Sequence, residues 1–353
     1  MSIDFIIVGQ GLAGSCLALH LIEQGAKVMV IDQEKKHTSS WAAAGLYNPI
    51  TGRKMVKTWM ADELFPYLQQ FYVKVESLTG SKFLHSLPIY RPFESIEEQN
   101  DWQLKSSNNS FSPYVDQVAC ESKYKNLNDL WGGLTLKQCG FLDVPTFVTV
   151  CRKYFQACQS YTQRKVDYQK LSIDQQEVRL DEFSAKSIIF CQGPDATQND
   201  YFSWLPFRPV KGEILYINPD SIIDVVYNRG IFVLPFNGYC KVGSTYNHQD
   251  LNAVPTKEAK DQLEAKLTKL SKINYQVVGQ RAGIRPATAD RKPIVGKHPI
   301  YKTLAVFNGL GTKGVSLAPY FAHQLTQHLL SNRPLDNSVD ITRYYHLYNS
   351  VLT

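Results

Sequence analysis

The apolar positions at the start of the chain form three short patterns in succession. Residues 3 to 8, IDFIIV, are a continuous apolar run of the kind that is buried in a parallel sheet. The segment GQGLAGSCLALHLIEQG follows with apolar residues at helical spacing, including Leu12, Cys16 and Leu19. AKVMVID, residues 26 to 32, then has the pattern of a second buried strand. This order predicts a β-α-β unit that begins almost at the first residue.

The rest of the chain alternates between less regular and strongly patterned stretches. Residues 80 to 140 are aromatic, polar and turn-rich without a sustained period, which indicates a peripheral region with loops. KSIIFCQG, residues 186 to 193, predicts a return to the first sheet, and the alternating runs between 208 and 246 are typical of antiparallel strands. Residues 258 to 270 form an amphipathic helical pattern, and residues 304 to 330 read as strand, glycine-rich loop and helix.

These elements predict an α/β protein, α+β overall, with a first domain that is discontinuous in sequence and a second domain built on an antiparallel sheet. A chain of 353 residues is long enough for two domains. We expect residues 1–80, 141–207 and 279–353 in the first domain and residues 81–140 and 208–278 in the second domain.

Composition narrows the class of protein only modestly. The net charge of +6 is spread along the chain without a run of lysine and arginine, so an anionic small ligand is favoured and nucleic acid is not required. The seven cysteines include no C-x-x-C pair, which indicates neither a disulfide framework nor a structural metal site. No apolar run approaches the roughly 20 residues of a membrane span. These features predict a cytoplasmic protein without a membrane span.

The first strand and helix enclose a glycine motif with a physical role for each glycine. Gly9, Gly11 and Gly14 form G-x-G-x-x-G, which permits a tight turn, close approach of the backbone to a pyrophosphate and packing of helix on strand. The N-terminus of the helix offers free N–H groups to the phosphates. Asp32 ends the second strand, where a carboxylate accepts the ribose hydroxyls of an adenosine. The sequence therefore predicts a dinucleotide site.

The segment after the second strand favours FAD over a nicotinamide cofactor. HTSSWAAAGLYNPITG, residues 37 to 52, is rich in small residues. The hydroxyls of Ser39 and Ser40 could hold phosphate oxygens, and Ala42 to Gly45 would let the backbone pass close to a flat ring. The alternative is a flexible loop followed by a helix from about residue 54.

A second glycine-rich loop precedes the last long helix. Gly309, Gly311 and Gly314 free the backbone there, and Pro319 is tolerated only near a helix start, which predicts that the helix begins close to residue 316. The positive end of this helix, with Lys313 nearby, would face the edge of a flavin where negative charge accumulates on reduction.

At this point the chain resembles a known family, the FAD-dependent D-amino-acid oxidase superfamily, which includes glycine oxidase and sarcosine oxidase. The resemblance rests on five ordered blocks: VGQGLAGSCLALHL, SSWAAAGLYNP, SIIFCQGPDA, FVLPFNGYCKVGST, and RAGIRPATADRKPIVG with GLGTKGVSLAP. It implies a glutathione-reductase-type Rossmann domain that binds FAD in an extended form, and an antiparallel-sheet substrate domain above the flavin ring. In sarcosine oxidases of this family a cysteine late in the chain attaches the flavin. Because no cysteine follows Cys240 here, we expect FAD to be bound non-covalently.

The glycine motifs and the resemblance together give a set of residues that we expect to contact FAD. Val166 enters this set through its backbone, as the neighbour of the adenine. The full set is Gly9, Gly11, Leu12, Ala13, Gly14, Asp32, Gln33, Ser39, Ser40, Ala44, Gly45, Leu46, Val166, Gly193, Leu310, Gly311, Thr312, Lys313, Gly314, Val315 and Ser316.

The arginine that grips the substrate carboxylate in this family corresponds to Arg285, in the segment AGIRP. A guanidinium suits this role because its planar fork makes two parallel charge-assisted bonds to a carboxylate. The alternative is a buried ion pair between Arg285 and a protein acid such as Asp290.

Other positions depart from the glycine oxidase pattern. Phe232 replaces a tyrosine that helps to hold the carboxylate, Thr312 replaces an arginine and Arg281 replaces a tryptophan. Arg281 is therefore expected either as a second anion contact or as a sign of a larger substrate. Tyr47 and Asn48 follow the small-residue segment. With Arg285, these residues complete the predicted substrate contacts: Arg285, Thr312, Arg281, Tyr47, Asn48 and Phe232.

The resemblance implies oxidation of the C–N bond of a small amino acid or N-substituted glycine. Hydride passes from the carbon that bears nitrogen to the flavin, and water hydrolyses the imine. Oxygen or another acceptor would then reoxidise the flavin, and no dedicated catalytic acid or base is predicted.

Two alternatives stay open. The segments AGLYNP and GLGTKG also resemble the oxidase half of the bifunctional enzyme for 5-methylaminomethyl-2-thiouridine in tRNA, and the FAD could instead be structural or redox-sensing.

Overall fold

The fold is described from a computed structural model of residues 2–35 and 38–352. His37, the first residue of the predicted FAD segment 37 to 52, lies outside the described residues, as do Met1, Lys36 and Thr353.

The described residues form strands β1 Ser2–Val8, β2 Val28–Asp32, β3 Leu46–Tyr47, β4 Ile50–Thr51, β5 Val56–Lys57, β6 Leu84–Ser86, β7 Ile89–Pro92, β8 Val115–Ala119, β9 Gly133–Leu136, β10 Gly140–Leu142, β11 Tyr161–Gln163, β12 Leu171–Ile173, β13 Val178–Leu180, β14 Phe183–Phe190, β15 Val210–Pro219, β16 Val226–Arg229, β17 Ile231–Phe236, β18 Tyr239–Gly243, β19 Tyr275–Arg285, β20 Ile294–Lys297 and β21 Leu304–Asn308. The α-helices are α1 Leu12–Glu23, α2 Ser39–Ala42, α3 Ala61–Thr79, α4 Ile96–Lys105, α5 Val144–Ala157, α6 Lys257–Leu270, α7 Gly314–Ser331 and α8 Tyr345–Leu352. Three 3-10 helices span Tyr168–Lys170, Gly193–Gln198 and Ile341–Tyr344.

The first sheet has a parallel centre in the order β11-β2-β1-β14, and β14 also pairs with β21 in parallel. The antiparallel strands β13, β12 and β20 extend it. The central strands are apolar and buried, as a parallel sheet that is covered on both faces requires. Helices α1, α5 and α7 contact one another or strands of this sheet. The predicted β-α-β unit is therefore present as β1-α1-β2.

The second sheet has eight strands in the order β19-β15-β18-β17-β16-β7-β9-β8. Its neighbours are antiparallel except β16 and β7, which run parallel. Strand β15 pairs with β19 over its whole length, and helix α6 packs on β15, β17 and β18. A mainly antiparallel sheet is what the alternating runs between 208 and 246 predict.

Residues 80 to 140 contain more regular structure than the sequence indicates. Strands β7, β8 and β9 join the second sheet, and α4 spans Ile96–Lys105. All four residues of β7 and of β9 are buried, so neither strand shows the alternation of apolar and polar residues that marks a half-exposed strand. The missing period therefore reflects burial of both faces.

The predicted domain bounds remain a prediction. Strand β19 crosses the predicted boundary at residue 279, because it pairs with β15 of the second sheet from Tyr275 to Arg285.

Among the helices of residues 2–35 and 38–352, none combines the length and the apolar character that a bilayer span requires.

The second sheet buries a lysine, and this burial lowers the free energy of unfolding at neutral pH. Lys241, in β18, is 3% exposed, and its ammonium lies 3.5 Å from the centre of the Phe236 ring. Burial lowers the pKa of Lys241 from 10.5 to about 8, against the attraction of Asp143 and with the repulsion of Arg281. The native state therefore binds this proton more weakly than the unfolded chain does.

We expect Lys241→Met to stabilise the protein at pH 7. A pKa lowered from 10.5 to about 8 corresponds to about 3 kcal/mol at 1.36 kcal/mol per unit, and the lost contact with the Phe236 ring offsets roughly 1 to 2 kcal/mol of it. The gain should be complete below pH 8 and shrink as the pH rises from about 8 to 10.5, because the native lysine is then neutral. Urea unfolding at fixed FAD concentration measures it; a gain that does not change with pH contradicts the assignment.

Candidate cofactor and substrate site

One large cavity lies where residues of the two sheets meet. Its volume is about 1720 Å³, which exceeds the roughly 300 to 1,000 Å³ of ordinary small-molecule pockets. The wall includes the ends of β1, β2 and β14 from the first sheet and residues of β15, β17, β18 and β19 from the second. The cavity therefore has room for a dinucleotide together with a second small molecule.

The glycine turn after β1 leaves no space for side chains. Gly9 has φ +102°, and a Cβ there would lie 2.5 Å from the carbonyl oxygen of Cys191. A Cβ on Gly14 would lie 1.9 Å from the carbonyl oxygen of Gly9, so α1 packs directly on the turn. Gly11 is the N-cap of α1 and makes no side-chain capping bond. The first turn of α1 thus borders the cavity and is open apart from the Leu12 N–H, which donates to Ser40 Oγ, as a phosphate site requires.

Asp32 is fixed at the carboxyl end of β2. Its Oδ2 accepts a hydrogen bond from the backbone N–H of Gln10 at 2.8 Å, and its Oδ1 accepts one from Glu34 at 2.7 Å. Each oxygen has a further lone pair for a ribose hydroxyl. Val166 lines the same end of the cavity, just beyond β11, the strand that pairs with β2.

The small-residue segment packs against the second sheet. The Ser39 hydroxyl donates to the carbonyl oxygen of Ile284 in β19, and Ser40 Oγ accepts from the N–H of Leu12 at 3.1 Å. A Cβ on Gly283 would lie 2.5 Å from the Cβ of Ala42. Gly45 has φ +82°. Because helix α3 begins only at Ala61, the alternative of a loop followed by a helix from residue 54 is wrong.

The second glycine-rich loop brings another helix start to the cavity. Helix α7 begins at Gly314, two residues before the predicted start, and its N-cap Lys313 makes no side-chain capping bond. Burial and the nearby Arg291 lower the pKa of Lys313. A second open helix start therefore reaches the cavity from the opposite end of the chain.

Arg285 extends from β19 across the neighbouring strand. Its Nη2 donates to Ser244 Oγ at 2.8 Å and its Nη1 donates to the carbonyl oxygen of Thr245 at 3.2 Å. A Cβ on Gly212 of β15 would lie 1.9 Å from Nη2, so the guanidinium occupies the space above this glycine. The ring of Tyr246 lies 4.5 Å from the guanidinium carbon. The cavity therefore receives a guanidinium that neutral oxygens hold in place.

Within the described part of the chain, Arg285 forms no ion pair. Burial lowers the pKa of its guanidinium. The alternative of a pair with Asp290 is wrong, because Asp290 binds the Nε of Arg343 at 3.1 Å. The arginine side chain is thus available for an anion that enters the cavity.

All but two of the predicted site residues line this cavity. Gly14 lies behind the glycine turn, where it has the packing role that the motif predicts. The residues in the cavity wall are Gly9, Gly11, Leu12, Ala13, Asp32, Gln33, Ser39, Ser40, Ala44, Gly45, Leu46, Tyr47, Asn48, Val166, Gly193, Phe232, Arg285, Leu310, Gly311, Thr312, Lys313, Gly314, Val315 and Ser316.

Arg281 is the predicted substrate contact that lies outside the cavity. It is exposed, its Nη1 donates to the carbonyl oxygen of Trp41 at 3.4 Å, and its guanidinium carbon is 5.4 Å from the Tyr216 ring. Arg281 and Arg285 share a face of β19, but four residues of strand separate them by roughly 13 Å. The structure does not support Arg281 as a second anion contact.

Tyr47 and Asn48 have structural partners as well as a place in the wall. The Tyr47 hydroxyl donates to the carbonyl oxygen of His85 at 3.5 Å, and burial raises its pKa to about 12. Asn48 Oδ1 accepts from the N–H of Ile50 at 2.9 Å. Phe232 lies opposite Gly243 in the second sheet.

Several wall residues were not predicted from the sequence. Gly212 is one for which a signal exists, because a glycine inside a strand often marks close approach of another group. Arg91, on the unpatterned strand β7, gives no such signal. The unpredicted polar wall residues include Arg53, Arg91, Arg208, Asn228, Ser244 and Tyr246.

Lys211 and His20 lie outside the cavity wall. Lys211, 1% exposed, donates to Asp250 Oδ2 and to the carbonyl oxygen of Val254, both at 2.6 Å. His20 contacts the carbonyl oxygen of Cys16, and burial lowers its pKa to about 4. These contacts hold elements together and leave no group free for chemistry.

The charge of the wall suits an anionic cofactor. Among the described residues it carries eleven lysines and arginines against four acidic side chains. The two open helix starts add further positive potential. With the Asp32 carboxylate at one end, this arrangement fits the pyrophosphate, ribose and flavin of FAD.

Comparisons with known proteins agree with the cavity. Glycine oxidase of Pseudomonas aeruginosa is 29% identical over 136 residues, which are 37% of each chain. The bifunctional tRNA 5-methylaminomethyl-2-thiouridine protein of Leptospira interrogans is 26% identical over 47% of this chain and 31% of its own length. Only about a third of each relative is therefore matched.

The structure itself is similar to the crystal structure of glycine oxidase from Geobacillus kaustophilus, with a TM-score of 0.79 over 97% of this chain and 99% of that chain. At 18% sequence identity this likeness confirms the predicted fold class. The model of one family, described as FAD dependent oxidoreductase, matches residues 4–328. The chain belongs to this FAD-dependent oxidoreductase family, and its cofactor is FAD.

Proposed function

We propose that this protein oxidises the C–N bond of a small amino acid or N-substituted glycine. The observation that carries the proposal is Arg285, a half-buried guanidinium in the cavity wall that is bound by neutral oxygens and has no carboxylate partner among the described residues. Removing a cation even partly from water is costly unless an anion pairs with it. A substrate carboxylate supplies that anion and forms two parallel bonds with the guanidinium.

FAD supplies the hydride acceptor for such an oxidation when it is bound. The protein residues bind and orient the substrate. Ser244 and Thr245 hold the Arg285 guanidinium above Gly212, which fixes where the carboxylate lies. The C–H bond next to nitrogen is thereby positioned, and the amine must be neutral so that its lone pair can form the imine. Water then hydrolyses the imine.

The predicted contacts divide between the two parts of the cavity. We propose that the set around Gly9, Asp32, Ser40 and Lys313 binds FAD, and that Arg285, Thr312, Tyr47, Asn48 and Phe232 surround the substrate. The tRNA substrate is not part of this proposal, because no observation on the described residues favours it.

Anaerobic reduction of the flavin tests the proposal. Glycine, sarcosine, proline and the two enantiomers of alanine would be mixed with the FAD-loaded protein while the flavin absorbance is recorded. We expect at least one of these compounds, or another N-substituted glycine, to bleach the flavin, and its methyl ester to be at least about 100-fold slower because it cannot pair with Arg285.

A flavin that no amine or amino acid reduces would instead indicate a structural or redox-sensing cofactor. Reoxidation in air, compared with reoxidation by a dye, then identifies the electron acceptor of an active sample.

A further inference from the structure

The cavity wall contains a second arginine without an ion pair among the described residues, on another strand of the second sheet. Arg91 lies on β7 and is only 5% exposed. Its Nε has no hydrogen-bond partner among the described residues. Nη2 donates to the carbonyl oxygen of Arg53 at 3.4 Å, which is a long bond. A buried donor without a partner costs about 1 to 3 kcal/mol, and more when it is charged.

The acidic side chains nearby are already paired. Glu94 and Glu98, which attract Arg91 electrostatically, bind Arg229 at 2.7 and 2.9 Å. The group contains these two glutamates and three arginines, Arg53, Arg91 and Arg229, so one positive charge has no acidic partner within it. Burial lowers the pKa of Arg91 to about 10, so the guanidinium is still protonated at neutral pH.

The register of the second sheet places Arg91 in line with the proposed substrate pocket. Gly243 of β18 lies opposite Phe232 of β17, and Phe232 lies opposite Asn228 of β16. In the parallel pair of β7 and β16, Tyr90 lies opposite Tyr227, and Arg91 and Asn228 are the next residues on the two strands. All four residues line the cavity. The row therefore runs across the sheet from the strand end that holds Arg285 to Arg91.

The spacing of strands gives the length of this row. Arg285 is bound to Ser244, directly after β18, and three strand spacings separate β18 from β7. At about 4.8 Å per spacing the backbones are roughly 14 Å apart. An amino acid whose two acidic groups are separated by two or three carbons is much shorter than this separation of the backbones.

We propose that Arg91 binds a second anionic group of the substrate, at the end of an extended arm that runs from the amine across Phe232 and Asn228. The substrate class is thus an N-substituted glycine or amino acid whose arm ends in a carboxylate or a phosphate. This inference rests on the proposed function, because Arg285 must hold the first carboxylate.

Matched substrates test the second anion site. N-(5-carboxypentyl)glycine and N-(6-phosphonohexyl)glycine carry the two kinds of anion, and N-hexylglycine is a neutral control of similar length. Anaerobic flavin reduction gives kcat/KM for each. We expect the better anionic compound to exceed N-hexylglycine by about 10- to 100-fold, as a charged hydrogen-bonded pair predicts. The larger of the two ratios identifies the terminal group.

Variants separate Arg91 from the general charge of the protein. Arg91→Met should lower kcat/KM for the better anionic compound at least about 10-fold and leave N-hexylglycine within about 3-fold. Arg91→Lys should retain part of the preference. Arg333→Met removes an exposed arginine at the end of α7 and should change neither value. FAD content and a thermal unfolding curve of each variant identify a folding defect.

A binding measurement covers the case in which Arg91→Met does not fold. Unbranched α,ω-dicarboxylates of increasing length should perturb the flavin spectrum of the unaltered protein, with the tightest binding at a length that spans both arginines. A monotonic rise with chain length, or equal binding of the corresponding monoacids, overturns the second site.

The two proposals fail differently. If neither the compounds with an extended arm nor the short amino acids reduce the flavin, the proposed function fails. If the compounds reduce it and the charged arms give no advantage over N-hexylglycine, or if the advantage survives in Arg91→Met, the second anion site is wrong and C–N oxidation stands.

Discussion

Arg285→Met should lower kcat/KM for the carboxylate substrate by roughly 100- to 1,000-fold while FAD stays bound. Loss of one partner from a desolvated charge pair costs about 2 to 5 kcal/mol. The methionine side chain fills similar space, and Arg285 has no ion pair of its own to lose among the described residues. Stopped-flow reduction of the flavin measures the rate, and the visible spectrum reports the FAD content.

Gly212→Ala is the matched variant, because it preserves every charge. Its Cβ would lie 1.9 Å from Arg285 Nη2, so the guanidinium must leave the place where Ser244 holds it. We expect a loss of about 10-fold or more in kcat/KM with normal FAD content. Unchanged kinetics in Arg285→Met would remove this residue from the substrate site. A loss of kcat/KM in Arg285→Met but not in Gly212→Ala would mean that the position of the guanidinium is unimportant.

Gly14→Ala should prevent stable FAD binding. The added methyl group would lie 1.9 Å from the carbonyl oxygen of Gly9, and this oxygen belongs to the backbone of the glycine turn, which cannot move aside cheaply. Helix α1 must therefore retreat from β1. We expect a loss of about 3 kcal/mol in the free energy of unfolding of the apoprotein, and FAD content well below one per chain.

Gly279→Ala controls for the change of residue type. It lies in β19, and the nearest atom to its added Cβ is 3.6 Å away, in Tyr216, which is ordinary contact. Its stability and its FAD content should stay close to those of the unaltered protein. Full FAD content in Gly14→Ala would show that the turn tolerates a side chain.

The part of the cavity that we propose binds FAD could be predicted from the sequence because its signals are local. Gly9, Gly11 and Asp32 lie within one β-α-β unit of the chain, and strand, turn and helix each have their own pattern. The residues around the proposed substrate pocket are different. Gly212 and Arg285 meet only through the pairing of β15 with β19, and no pattern in either segment states that pairing.

Arg91 and Arg281 show why residue type alone was insufficient. The sequence singles out Arg281 through a family comparison, yet its place along β19 takes it past the end of the cavity. Arg91 belongs to a strand buried on both faces, and its lack of an acidic partner depends on how Glu94 and Glu98 divide their contacts. That division is a property of the packed structure.

The order of strands in the first sheet also bears on when the protein can acquire its flavin during synthesis. The neighbours β1, β14 and β21 are drawn from residues 2, 183 and 304 onward, and the start of α7 at Gly314 completes the cavity wall. A nascent chain emerges at about 5 to 20 residues per second. Until residues near 317 have left the ribosome, the wall of the cavity is incomplete. Flavin loading is therefore a late event, and fragments truncated before β21 should be colourless.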